Sequence, residues 1–193
     1  MTTPQALVLP ALNARWGRWS VVLHWASAAI IVGLATAGFV MTSEAPDSSL
    51  RLLLSRLHTA FGITLMVATV VRLVTRLRTG KPEPLPMAPL HRRGVAFVHA
   101  SLYAVLFGLG ASGALTGALS AWPAYLRGTL ERVPQLEQLA SREVHEVLVF
   151  TLGVLVLLHV GGVMVHEVRA GGALRRMVPW LGSSRSTPGK DAR

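Results

Sequence analysis

REVHEVLVFTLGVLVLLHVGG, residues 142–162, carries two imidazoles, His145 and His159, and the run from Val147 to Leu158 between them is apolar except for the hydroxyl of Thr151. Two more histidines have similar surroundings, His24 in VVLHWASA and His58 in SRLHTAFG. An imidazole can ligate a transition metal, relay a proton near neutral pH or hydrogen-bond one helix to another. The spacing bears on the choice. His145 and His159 stand fourteen positions apart, which is just under four turns of a straight helix and four whole turns in a left-handed bundle. Both rings therefore leave one helix face, about 21 Å apart along the axis.

The elements that must carry these residues are membrane spans. Of the 193 residues 51% are hydrophobic and only 15% charged, and the mean hydropathy is +0.48, too apolar for a soluble domain of this size. Four segments are long enough to cross a bilayer core: Val21 to Met41, Leu53 to Leu73, Val95 to Ala118 and Val144 to Glu167. The first is longer than the apolar core of a secretory signal and no small-residue cleavage site follows it, so a retained helix is expected. Net charge is +10, but the basic residues cluster at the ends of apolar runs and form no continuous stripe. That pattern orients a membrane protein and does not describe a nucleic-acid surface.

Arg15 and Arg18 precede the first span; Arg76, Arg78, Lys81, Arg92 and Arg93 lie between the second and third; Arg169, Arg175, Arg176, Arg185 and Lys190 follow the fourth. These flanks share one side, and the positive-inside rule makes that side, with both termini, cytoplasmic. The outer connections, 42–52 and 120–143, mix acids with arginines, and the second is expected to form a short amphipathic helix on the outer surface. Residues 1–14 read as a tail, 15–181 as one four-helix domain, 82–89 (PEPLPMAP) as a stiff cytoplasmic loop and 182–193 as a disordered tail. The expected fold class is all-α, an integral membrane four-helix bundle with cofactors bound between the helices.

Because neighbouring spans run in opposite directions, His24 falls near the level of His159 and His58 near that of His145. One histidine pair per leaflet suits haem b, whose low-spin iron takes two axial imidazoles from opposite faces of the ring. The chain has no cysteine, which excludes iron–sulfur clusters, thiolate catalysis, disulfides and covalent haem attachment. Gly38, Gly62, Gly108, Gly110, Gly113 and Gly117 would allow close approach to a flat macrocycle. Arg72, fourteen positions after His58, is costly at its depth unless an anion such as a haem propionate or a lipid phosphate receives it, or unless it snorkels to the surface. His99 is expected to serve beside a ligand or at a quinone, and His166, seven positions after His159, to be a site residue or an interfacial histidine. His91, beside Arg92 and Arg93, reads as solvated or as a headgroup contact.

RWSVVLHW, LHTAFG, VRLVTRL, VHASLYAVL, REVHEVLVFTLGVLVLLHV and GGALRRMVP, met in that order from Arg18 to Pro179, resemble the prokaryotic cytochrome b561 family. The resemblance implies two b haems, one toward each membrane face, with His24, His58, His145 and His159 as axial ligands paired His24–His159 and His58–His145. It also implies electron exchange with a quinone pool, ubiquinone or menaquinone, in a bacterial cytoplasmic membrane. One branch of the family oxidises superoxide and passes the electron to ubiquinone; others serve as electron-transfer subunits of a partner redox enzyme. The expected function is therefore electron transfer between an outer-side donor and quinone, with the catalytic residues, if any, unassigned. A histidine-based metal or proton transporter is the alternative from another class. Against it, the histidines come in pairs at separate heights, no carboxylate lies deep in a span to complete a zinc site, and the helices are uninterrupted. A purely structural subunit would leave the layering unexplained.

Overall fold

The structure, a computed structural model, describes residues 16–78 and 87–178. The two expected tails and residues 82–86 of the proline-rich loop lie outside the described residues. Four long helices, α1 (Arg18–Ser43), α2 (Ser49–Arg78), α3 (Pro89–Ala118) and α5 (Ala140–Arg169), are joined by two short ones, α4 (Trp122–Arg127) and α6 (Ala173–Met177). The four long helices are long and apolar enough to cross a membrane, and the chain is an all-α, multi-pass membrane bundle.

The spans hold no internal proline, the sole one being Pro89 in the first turn of α3, where its missing N–H costs nothing. Their backbone groups are therefore satisfied within each helix, as a bilayer requires. Hydroxyls along the spans bend back to carbonyls a turn earlier, Thr69 to Leu65 at 2.7 Å and Thr151 to Val147 at 2.8 Å, so they bring no unsatisfied donor into the apolar region. At 30 residues each, α2, α3 and α5 reach about 45 Å and overrun a hydrocarbon core of about 30 Å. The overrun carries their charged ends.

Two antiparallel hairpins build the bundle: α1 packs on α2, α3 packs on α5, and the hairpins meet more lightly along α2 and α3. Ser48 closes the first hairpin, accepting the Arg51 N–H at 3.4 Å as an N-cap and donating to Glu44 Oε2 at 3.0 Å. Beyond α3 the chain forms α4, which stops after six residues because Gly128 takes the left-handed conformation, φ 78°. The expected amphipathic helix of this connection is confined to that turn and a half. Arg56 Nε donates to Leu126 O at 2.8 Å and Val133 N to Pro46 O at 3.0 Å, tying this connection to the first hairpin. At the opposite, basic end, Gly171 and Gly172, with φ 69° and 86°, turn the chain from α5 into α6. The Glu167 carboxylate accepts the N–H groups of Gly172 and Leu174 at 3.3 and 3.0 Å, and Trp25 Nε1 donates to Met177 O at 2.7 Å. The GGALRRM segment thus fastens α5 to α1.

The apolar centre consists of Leu65, Val105, Leu106, Leu152 and Leu155, with Ile30, Ile31, Leu34, Leu102, Leu109, Leu148 and Val156 against it. It lies at mid-height, between the two levels at which the histidines occur.

Candidate functional site

Each of the four spans has a pair of positions fourteen residues apart that reach the two levels: His24 and Gly38, His58 and Arg72, His99 and Gly113, His145 and His159. The level nearer the basic end gathers His24, Arg72, His99 and His159. The level nearer α4 gathers Gly38, His58, Gly113 and His145.

At the basic-end level the rings of His24 and His159 face each other with centroids 6.2 Å apart and planes at 63°. His99 stands edge-on to His159 at 5.1 Å, and its Nδ1 is 2.7 Å from Val95 O. Arg72 Nη2 lies 3.1 Å from His24 Nδ1. A guanidinium only donates, so His24 accepts at Nδ1 in this arrangement. Arg72 therefore points into the bundle toward the histidines rather than simply snorkelling. Arg76, one turn further along α2, stacks over the Tyr103 ring at 6.0 Å.

At the α4-end level His58 and His145 face each other at 6.4 Å with planes at 62°. A glycine lies beside each. A Cβ on Gly38 would meet His58 Cε1 at 3.5 Å, and one on Gly113 would meet His145 Cε1 at 3.4 Å. Gly62 opens onto free space, whereas a Cβ on Gly108 would meet the Leu148 side chain at 2.9 Å and one on Gly117 would touch Trp122 at 3.8 Å. Ser112, which the sequence reading passed over, stands 3.0 Å from His145 Nδ1 and 3.2 Å from Leu109 O. The Nδ1 of His58 is buried and has no hydrogen-bond partner among the described residues.

The facing pairs can be compared with what a shared metal demands. With a metal–imidazole bond of about 2 Å and a ring centroid roughly 1.15 Å behind its nitrogen, two trans imidazoles place their centroids about 6.3 Å apart. Both ring planes contain the common axis, so their mutual angle is free. The 6.2 and 6.4 Å separations meet this requirement. Each pair joins one helix of the first hairpin to α5, across hairpins that touch only lightly. Among the described residues, no three or more His, Asp or Glu side chains converge as a site for a bare metal ion. A group that brings its own equatorial ligands fits two imidazoles better.

His91 departs from the sequence expectation. Helix α3 begins at Pro89, so His91 is on the helix, half-buried, with its ring 5.9 Å from that of His166. His166 is buried, at 7% exposure, and the Nε2 atoms of both rings have no hydrogen-bond partner among the described residues. The basic end thus holds a third histidine pair that spacing alone did not reveal.

The prokaryotic cytochrome b561 family model matches residues 15–180. Cytochrome b561 homolog 2 of Escherichia coli (strain K12) is 29% identical over 184 residues, which cover 91% of this chain and 95% of that relative.

Proposed function

The chain belongs to the prokaryotic cytochrome b561 family, and from that membership we propose that it is a dihaem b-type electron carrier between a donor on the outer side of a bacterial cytoplasmic membrane and the quinone pool. The observation that carries this reading is the pair of facing imidazoles at each of two depths, 6.2 and 6.4 Å between centroids. His24 and His159 would hold one haem and His58 and His145 the other. Bound there, two haem b groups would supply reversible one-electron storage.

The chain's own residues orient and insulate. Ser112, 3.0 Å from His145 Nδ1, would accept the Nδ1 proton of that ring and leave the Nε2 lone pair for a metal. Gly38 and Gly113 lie against the α4-end imidazoles, where an added Cβ would come into van der Waals contact with the rings. On His24 the contact with Arg72 works in the other sense: an imidazole accepting at Nδ1 keeps its proton on Nε2. Ligation through Nε2 requires this contact to open, and the released guanidinium would then receive a haem propionate. At the basic end His166, with His91 against it, would relay the protons that quinone reduction consumes, with His99 and Arg72 on the side of the haem. Ubiquinone and menaquinone both fit this role.

The donor is either superoxide, with ubiquinone as acceptor, or a partner redox enzyme of which this chain is the electron-transfer subunit. The outer surface favours a protein partner, since acids interleave with its arginines and Arg142 is paired with Glu146. Pyridine haemochrome analysis of purified His24→Ala and His145→Ala tests the core of the reading. Each should keep about half of the haem, from different levels; full retention in both would sink the assignment. Superoxide and quinols offered as reductants to the intact protein then separate the donors, because turnover with superoxide that requires quinone marks a superoxide:quinone oxidoreductase.

A further inference from the structure

Each facing pair of imidazoles bridges the two hairpins, His24 or His58 on the first and His159 or His145 on α5, yet neither α1 nor α2 packs closely along α5. Direct packing therefore does little to keep the two sides of each level at their separation. At both ends of the bundle a short helix and an indole N–H make the connection instead. At the basic end α6 leaves α5 through Gly171 and Gly172, and the Glu167 carboxylate accepts the N–H groups of Gly172 and Leu174. The last carbonyls of a helix lack partners within it, and that of Met177 receives the Nε1 proton of Trp25 at 2.7 Å. Trp25 directly follows His24, and its ring stands edge-on to that imidazole, with centroids 5.4 Å apart and planes at 78°. Glu167 lies eight residues after His159 on α5, about two turns. A closed circuit thus runs from His159 along α5, through α6 and Trp25, to His24. At the other end α4 follows α3, and Trp122 N donates to Ser120 Oγ at 3.2 Å. Trp122 Nε1 donates to Thr59 Oγ1 at 3.1 Å, on the residue after His58. Thr116 beside Ser141 joins α3 to α5 one turn before His145, which closes the second circuit.

We infer that Trp25 and Trp122 are positioning residues for the two haems: each indole clasps a histidine-bearing helix of the first hairpin to the second hairpin and fixes one bis-imidazole separation independently of the other. The inference rests on the dihaem reading. Neither indole is a ligand; each acts through the helix whose histidine stands beside its hydrogen bond. The residue type suits the place, since an indole sets an apolar body at the membrane boundary while its N–H finds an acceptor.

Trp25→Phe and Trp122→Phe each keep an aromatic ring and remove the donor. In the purified holoprotein both variants should retain two haems, with transfer of one of them to an excess of apo-globin about 10-fold faster, the low end of the loss seen when an outer partner of a metal ligand is removed. Trp25→Phe should loosen the basic-end haem and Trp122→Phe the α4-end haem, told apart by the spectra of the single haems retained in His24→Ala and His145→Ala. The low-spin electron paramagnetic resonance signal of the loosened haem should shift while the other stays fixed. Glu167→Ala and Thr59→Val open the same two clasps without altering an indole. Each should release the same haem as its tryptophan variant, with the double variant no worse than the more severe single one, and each reads its clasp where the Phe variant does not fold. Unchanged release, release of both haems at one rate, or release of the opposite haem would overturn the inference and leave the dihaem reading standing. Unmodified protein without haem would remove both readings together.

Discussion

Ser112 Oγ lies 3.0 Å from His145 Nδ1 and 3.2 Å from Leu109 O. With the hydroxyl proton on that carbonyl, Ser112 accepts from His145, which then has Nδ1 protonated and Nε2 available. Ser112→Ala should preserve the fold yet weaken the hold on one haem by about 10- to 100-fold, the usual loss when the partner of a ligating histidine is removed. Transfer of haem to an excess of apo-globin measures it, and equal release from wild type and variant would show the bond to be incidental. His166→Phe keeps bulk and removes the proposed proton relay. It should leave the haem spectrum intact and slow electron exchange with quinone; an unchanged rate would move the quinone site elsewhere. The matched heights of His24, His58, His145 and His159 were legible because fourteen residues close a whole number of turns in a bundle, whatever the loops do. His91 was not legible. Its two neighbouring arginines suggest solvent, and only the start of α3 at Pro89 brings it against His166. Ser112 was missed because a hydroxyl in a membrane helix looks ordinary until its partners are known.

The spans were recognised from hydropathy, which senses only the part of a helix that lies in hydrocarbon. Each expected segment is accordingly shorter than its helix: Leu53 to Leu73 sits inside Ser49–Arg78, and Val144 to Glu167 inside Ala140–Arg169. The short connection 42–52 made the antiparallel α1–α2 hairpin legible, whereas the longer connection 120–143 left open that α3 packs on α5 and that the two hairpins meet lightly. Within the second hairpin a polar contact contributes, with Thr116 Oγ1 2.8 Å from Ser141 Oγ and both residues buried. Thr116→Val removes it at nearly constant volume. The expected loss is about 0.6 kcal/mol, the average for such contacts between membrane helices, seen as a lower thermal midpoint in detergent. A midpoint at or above that of the parent would show that the hairpin does not depend on this contact.

Most basic residues of the described chain lie toward one end of the bundle, where α1 and α3 begin and α2 and α5 finish, while Arg51, Arg56, Arg127, Arg132 and Arg142 lie at the other end among acids. If the positive-inside rule holds here, a reporter fused after Arg193 works only as a cytoplasmic marker. An active outward-facing reporter at that position would exchange the two leaflets in every statement about donor and quinone. The mid-height core has a separate consequence. Leu65, Leu106 and Leu152 each stand seven residues from both histidine levels, in a cluster made wholly of leucine and valine. Such a layer offers a proton no side chain to occupy, so an electron passing between the levels would travel without compensating charge. The levels are about 21 Å apart in a hydrocarbon core of about 30 Å, so the electron would cross about 0.7 of the transmembrane voltage. At 100 mV, negative inside, that opposes inward movement by about 1.6 kcal/mol, about a 15-fold change in how the electron is shared between the two haems. In proteoliposomes clamped with potassium and valinomycin, reversing the voltage should redistribute the electron between the two haem spectra, and the molecule would behave as a voltage-dependent conductor.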